Sequence, residues 1–447
     1  MLAAHSTNMA RIRNFKLRLA ALGCVLLGLV TGPLVLATGA AATARGPLAP
    51  FPAPTVNFVG FGDGHGHGMG QWGAFGYAAV EHETYQWILA HYYGGTTLSV
   101  SKHLVSKDPE ISVDLNENDG APVVVTSPSA FSFGGHSFRG GQVARAVLAA
   151  GRWALSEATR CASTKWTHVA SGLVNPVAKP FSLLPYARST QVLTICEADG
   201  AHLPVRGTVQ AYDSPGGAVT LSILPIEEYV RSVISAEVSW SWGLFGVGKG
   251  SPQGHPWGFQ ALEAQAVASR TYAAAELASG GWTSYATACD AYCQAYTGMA
   301  NEAPVSNAAV ADTAGEILLA GGQPVYAEYS ASTGGYSYGG EFPAVVDRGD
   351  TVCIKSSYYT CNPCHKWVAA VPVSSVEQAY PSVGTLAAIE VTKRNGLGAL
   401  GGRAVTVEII GTGGVKVSVP AYDLESLLGA NNPNYCVSDW YGVTNGP

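Results

Sequence analysis

The apolar positions divide the chain into stretches of different period. An unbroken apolar run extends from Leu19 to about Leu36, or to Ala44 if the small residues are counted. Gly46 to Pro54 (GPLAPFPAP) follows, Pro-rich and without period, and reads as an extended linker over 45–58. In 59–100 a Gly-rich loop precedes a helical stripe of Ala78, Val80, Tyr85, Ile88 and Leu89, which Tyr92-Tyr-Gly-Gly95 ends. From 101 to 222, short alternating runs such as Ala121–Thr126 and Gln191–Ile195 are separated by Gly, Asp and Ser turns, the pattern of strands. The clearest helices fall within 223–345. Pro225 is expected just inside a first turn, with Glu227 and Glu228 at its positive dipole end. Ala-rich Phe259–Leu277 is a strong helix former that Gly280-Gly281 stops. The remainder, 346–447, returns to strands and turns. The fold expected is α+β, with helices around 225–280 packed on mainly antiparallel sheets.

Composition changes this picture mainly at the N-terminus. Arg11, Arg13, Lys16 and Arg18 flank the apolar run, and Ala42-Thr-Ala44 supplies small residues before Arg45. Residues 1–44 therefore read as an export signal, or as a membrane anchor if uncleaved, with the rest of the chain off the membrane. Cys24 lies inside the apolar run rather than after it, which argues against lipidation. Only 13% of residues are charged and the net charge is −6. No basic stripe remains beyond the first segment, so nucleic acid is not an expected partner.

Export gives the cysteines a role. Apart from Cys24 there are eight: Cys161, Cys196, Cys289, Cys293, Cys353, Cys361, Cys364 and Cys436. An even number in an oxidising compartment reads as disulfides, although sequence cannot fix the pairing. The pairs expected are Cys161–Cys196 and Cys289–Cys293, with the other four pairing among themselves. Cys361-Asn-Pro-Cys364-His365 also fits a haem-attachment pattern, but structural disulfides suit the compartment and the count better. Arg348-Gly-Asp350 reads as a chance acidic turn.

Four separated stretches, one of them preceded by a short turn, carry the candidate chemistry. They are Gly64–Tyr77 (GHGHGMGQWGAFGY), Leu224–Val238 (LPIEEYVRSVISAEV), Ala261–Tyr272 (ALEAQAVASRTY) and Tyr329–Gly335 (YSASTGG), the last preceded by Cys293–Gly298 (CQAYTG). Together they resemble the SpoIID/LytB family of sporulation proteins and amidase enhancers, across roughly 59–420. The Gly-His-Gly segment belongs in the C-terminal part of sporulation members, whereas here it comes early. Because the ends of a compact domain often lie close together, it could still reach the same cleft.

The resemblance implies an exported, cell-wall-associated protein acting on peptidoglycan glycan strands. One branch of the family consists of lytic transglycosylases that cleave denuded strands after N-acetylmuramic acid. The alternative is a non-catalytic glycan-binding protein that enhances an N-acetylmuramoyl-L-alanine amidase. The family's catalytic acid falls on Glu237. A transglycosylase needs only one carboxyl group, since the muramic acid 6-hydroxyl replaces water as the attacking group. Such an acid works best in apolar surroundings, and Val238, Trp240 and Trp242 follow Glu237. Glu227, Glu228, Glu263 and Asp290 are its competitors. His67, Gln71, Trp72, Arg270, Tyr272, Gln294, Ser330 and Ser332 are the candidate substrate-binding residues. For Arg270 a buried salt bridge and for Tyr272 packing are equally weighted alternatives. Ser330 and Ser332, two apart on a strand, would face the same way. His65-x-His67 could hold a metal, but two histidines are too few. Some family members hold zinc near the Cys-Gln-x-Tyr turn through a Cys and a His. No His lies between Cys289 and Cys293, so a disulfide is expected there and no cofactor.

Overall fold

The computed structural model describes residues 47–181, 192–246, 252–290, 293–355 and 359–445. The expected signal segment 1–44 lies outside them. Among the described residues no helix is long and apolar enough to cross a membrane. The described residues divide into two compact units, one from 47–65 with 363–445 and the other within 66–362. This grouping differs from the division drawn on the sequence: 59–65 joins the C-terminal region, and 346–362 joins the larger unit.

In the smaller unit, strand Thr55–Gly60 lies between Trp367–Pro372 and Tyr441–Val443, antiparallel to both. A second antiparallel sheet is formed by Leu386–Arg394, Ala404–Gly411 and Lys416–Pro420. Val56, Phe58, Trp367, Leu386, Val407 and Tyr441 form the core, and the Cys364–Cys436 disulfide closes across it. The stretch 47–54 is not the free linker expected. Its backbone N–H groups at Leu48 and Phe51 donate to Thr412 O and Leu386 O, and the Phe51 side chain is buried. An apolar anchor and paired amides hold it to the sheet.

The larger unit is α+β. A seven-stranded sheet runs in the order 288–289, 110–114, 217–225, 208–214, 177–180, 131–133 and 136–138, antiparallel except where Ala288–Cys289 lies parallel to its neighbour. A six-stranded antiparallel sheet adds 167–173, 152–158, 143–149, 123–126, 193–196 and 202–205. The helices that position the site are α1 (Gln71–Ala79), α2 (Tyr85–Tyr92), α3 (Ile226–Glu237), α4 (Phe259–Ser279) and α5 (Pro304–Asp312).

Helix α4 is the hub, packed by α1, α2, α3, α5 and strand Glu316–Ala320. Nearly every side chain from Phe259 to Glu276 is buried, polar ones included. A helix enclosed on all sides cannot be amphipathic, and its alanines let five neighbours approach closely. Gly280 ends it in the left-handed conformation at φ 98°.

The stripe from Ala78 to Leu89 is not one helix. It breaks at 80–84, where His82 takes a positive φ of 60° and Val80 is exposed to solvent; the Thr84 side chain then caps α2. Pro225 stands at the N-cap of α3 rather than inside its first turn, because strand Gly217–Pro225 runs straight into the helix. The disulfides are Cys161–Cys196, Cys289–Cys293 and Cys353–Cys361 here, with Cys364–Cys436 in the smaller unit. Cys361 and Cys364 therefore pair separately, which leaves neither thiol for haem attachment.

Candidate active site

Glu237 is the last residue of α3, half-buried, and followed by the 3-10 turn Trp240–Leu244. Helix geometry ends there, so its carboxyl group projects from the terminus rather than lying along a packed face. Two donors from distant segments hold it. The Gln71 side-chain amide donates to Oε2 at 3.2 Å, and the Ala295 backbone N–H donates to Oε1 at 2.7 Å.

Each donor is positioned by its own local structure. Gln71 opens α1, directly after Met69–Gly70, which pairs in parallel with Tyr329–Ser330. Helix α1 lies close on 347–350: a Cβ at Gly76 would run into the Gly349 carbonyl, and one at Gly73 into Asp347 and the Tyr92 hydroxyl. Small residues here are a packing requirement. Ala295 follows the Cys289–Cys293 disulfide, which fixes the turn that aims its N–H. Gln71 thus reaches the end of α3 despite its early position in the chain.

A polar network continues behind the carboxylate. Gln71 also donates to Gln265 Oε1 at 3.4 Å, and Gln265 donates to Ser269 Oγ at 3.1 Å. The Tyr329 hydroxyl donates to Gln294 Oε1 at 2.9 Å, while Gln294 Nε2 donates to the Tyr229 hydroxyl at 3.3 Å. Burial first, and then for Tyr329 the Glu237 charge, push both phenols well above their ordinary range, so they remain neutral donors. Gln265, Ser269, Tyr229, Tyr329 and the Ala295 N–H were not singled out from sequence. All lie within or beside the quoted segments, but the alanine pattern of α4 draws attention from its polar positions.

An aromatic wall stands beside this end of α3. Trp242 stacks on Phe75 at 4.7 Å and lies 4.9 Å from Trp72. Trp72 is half-buried, and Trp240 is exposed to solvent. Flat, partly exposed rings of this kind suit the apolar face of a sugar.

The other candidate residues fall in different places. His67 is held by the loop 338–339, with Nδ1 2.9 Å from Gly339 O and its ring 4.4 Å from that of Tyr338. Tyr272 is half-buried and packs edge-on against Tyr326. Ser330 is buried with no hydrogen-bond partner for Oγ. Two candidates are corrected. Ser332 does not face a cleft with Ser330: it is fully buried and donates to Asp350 at 2.8 Å, because the chain leaves the strand after Ser330. Arg270 is also fully buried. Its Nε and Nη2 donate to the two Glu227 oxygens at 2.8 Å each, and its remaining N–H groups reach Val310 O and Glu316 O. It therefore ties four elements together and has no donor left for a substrate. Asp350 lies in the 3-10 turn Gly349–Thr351, an acidic turn as expected, and is fully buried.

The competing carboxylates are engaged elsewhere. Glu227 holds Arg270, and Glu228 pairs with Arg206 and Arg231, so both do more than sit at a helix start. Glu263 is buried on another side of α4, near Asp312 and Glu316. Asp290 accepts from the Asn116 N–H at 3.2 Å.

Comparison with known proteins covers part of this assembly. No curated protein and no solved structure matches the chain significantly. The SpoIID family profile, described as stage II sporulation protein, matches residues 215–319, which hold α3, α4 and the Cys293–Gly298 turn. Helix α1 and Tyr329 lie outside that match but contact its elements. Residues 215–319 thus carry a match to the SpoIID domain, whose family is linked to cell-wall or sporulation function.

Proposed function

We propose that this protein is an exported peptidoglycan lytic transglycosylase, with Glu237 as its single acid/base. The observation that carries the reading is a half-buried carboxyl group gripped by Gln71 and the Ala295 N–H, with half-buried Trp72 following Gln71 in the chain. Among the described residues Glu227 and Glu228 are ion-paired, while Glu263 accepts from Gln260 and Asp290 from the Asn116 N–H; hydrolysis would need a second carboxylate.

In the reaction Glu237 protonates the glycosidic oxygen as its bond to the muramic acid C1 breaks. The muramic acid 6-hydroxyl forms the new bond to C1, and its proton returns to Glu237. The proton gained by the leaving group is thereby replaced, no water is consumed, and a 1,6-anhydro end results. Gln71 and the Ala295 N–H fix the carboxyl group's direction, which matters because misplacing a reacting group by an ångström can cost about 10²-fold. Tryptophan rings would hold the glycan, and the disulfides suit an extracellular or wall-associated location.

The substitution Glu237→Gln keeps size and removes the transferable proton. Activity on denuded glycan should fall at least roughly 10²-fold, with strand binding retained. Full activity in this variant would move the acid elsewhere. Binding without cleavage by the unmodified protein would instead favour the amidase-enhancing role.

A further inference from the structure

Residues 121–180 lie outside the family match and carry six Lys and Arg residues against one acid, Glu157, a net +5 in a chain whose net charge is −6. They are too widely spaced to form a basic stripe in sequence, but the six-stranded sheet gathers some of them. Arg145 on strand Val143–Ala149 pairs with Ser156 on strand Arg152–Ala158, and Ser156 pairs with His168 on the edge strand Thr167–Leu173. Residues directly opposite share a face, and every second residue along a strand returns to it. Arg145, Arg152, Ser156 and His168 therefore stand on one side of the sheet. All four are half-buried or exposed, whereas Ala144, Ala146, Trp153 and Leu155 of the other side are buried in the core. Glu157, opposite Ala144, is turned away from the basic face and accepts from the Gln142 side chain at 3.0 Å.

Arg145 is the centre of this face. Its guanidinium carbon lies 4.1 Å from the centroid of the Trp166 ring, within cation–π range. The indole is itself fixed, since Trp166 Nε1 donates to Ser163 O at 2.7 Å. Nε of Arg145 is buried without a hydrogen-bond partner. Among the described residues no carboxylate pairs with Arg145 or Arg152, whereas Arg206, Arg231, Arg270 and Arg403 each hold one. A cation laid on an aromatic ring, on an open sheet face and without an acid of its own, is complementary to an anion carried on a flat apolar body.

We propose that this face binds glycan strands stripped of their peptides, with Arg145 taking the lactyl carboxylate of muramic acid and Trp166 the adjoining sugar ring. Only the ligand class, a peptidoglycan strand, is taken from the proposed function; no cleavage is needed. In a strand that still bears peptide, the lactyl group is an amide. Removing the peptide leaves one carboxylate on each muramic acid, and the strand becomes a regular polyanion that a basic face attracts. A guanidinium meets a carboxylate with two parallel N–H donors, and an indole covers the apolar face of a pyranose. Arg152, roughly 13 Å along its strand from Ser156, is placed to take a further carboxylate. Choice of stripped strands would thus be made by residues other than those that grip Glu237.

Denuded strands labelled at the reducing end should be titrated with the full chain carrying Glu237→Gln, and binding read by fluorescence anisotropy. A second batch of the same strands has its muramic carboxyl groups converted to primary amides. Amidation should weaken binding roughly tenfold or more, the scale of a lost charge-assisted contact. Arg145→Gln should weaken binding to the carboxylate strands by a similar factor and change binding to the amidated strands little, because both changes remove the same contact. Arg145→Lys should recover only part of the loss, since an ammonium lacks the planar fork. Arg152 is exposed, so Arg152→Gln provides a second variant, and circular dichroism checks that each variant folds. Equal affinity for the two batches, or undiminished binding in both Gln variants, overturns the assignment, as does tighter binding of poly(glycerol phosphate) than of denuded strands. Cleavage by the unmodified protein is scored separately from its new chain ends, so the acid/base reading and this one can fail independently.

Discussion

Gln71 and Glu237 are separated by 166 positions in sequence, yet the Gln71 side-chain amide donates to Glu237 Oε2 at 3.2 Å. The same amide reaches Gln265 of α4, so one side chain joins the first turn of α1, the end of α3 and the central helix. Gln71 is a positioning residue. Gln71→Leu should lower kcat on denuded glycan on the order of tenfold or more while changing KM little, because the acid loses direction rather than the groove its shape. A matched rise in KM with kcat unchanged would make Gln71 a substrate-binding residue instead.

Arg270 gives a prediction of the opposite kind. Its guanidinium is fully enclosed and forms a two-pronged pair with Glu227. Removing one partner leaves an uncompensated buried charge, so Arg270→Ala should destabilise the larger unit by about 3–5 kcal/mol in chemical denaturation. Arg270→Lys should recover little, since an ammonium cannot make the paired contact. Stability close to the unmodified protein, with weaker glycan binding, would return Arg270 to the cleft.

Glu263 sets a pH dependence. Burial, then the charges of Asp312 and Glu316, push it up to about 8 from 4.5, against a hydrogen bond from Gln260 that pulls the other way. The folded state holds this proton more tightly than the unfolded chain does. Its contribution is therefore complete below about pH 4.5 and is lost as pH rises towards 8. Between pH 4.5 and 7 the loss is on the order of 3 kcal/mol. Unfolding midpoints should fall over that range, and Glu263→Gln should flatten the fall. An equally steep dependence in the variant would assign it to other buried acids such as Asp347, pushed up to about 7 by its own burial and by Asp350.

Much of this architecture was legible because local signals were strong. Alanine runs and Gly280 mark α4, alternation marks the strands, and the cysteines at 161, 196, 289 and 293 pair as expected. What stayed hidden depends on contacts distant in sequence. Arg270 looks like any basic residue on a helix until three neighbouring elements enclose it. Ser330 and Ser332 share a strand period on paper, but the strand is only two residues long, and Asp350 captures the second hydroxyl. Phe51 seems to belong to a Pro-rich linker until the sheet formed by residues over 330 positions later accepts its N–H.

The central claim is the reaction itself, and the chemistry of the new chain ends tests it most directly. Denuded glycan incubated with the purified protein should be analysed by mass spectrometry alongside the Glu237→Gln variant. Fragments ending in 1,6-anhydro-muramic acid, lighter by one water than hydrolysis products, are expected from the unmodified protein and should be lost in the variant. Reducing muramic acid ends, or strands left intact by the unmodified protein, would contradict it.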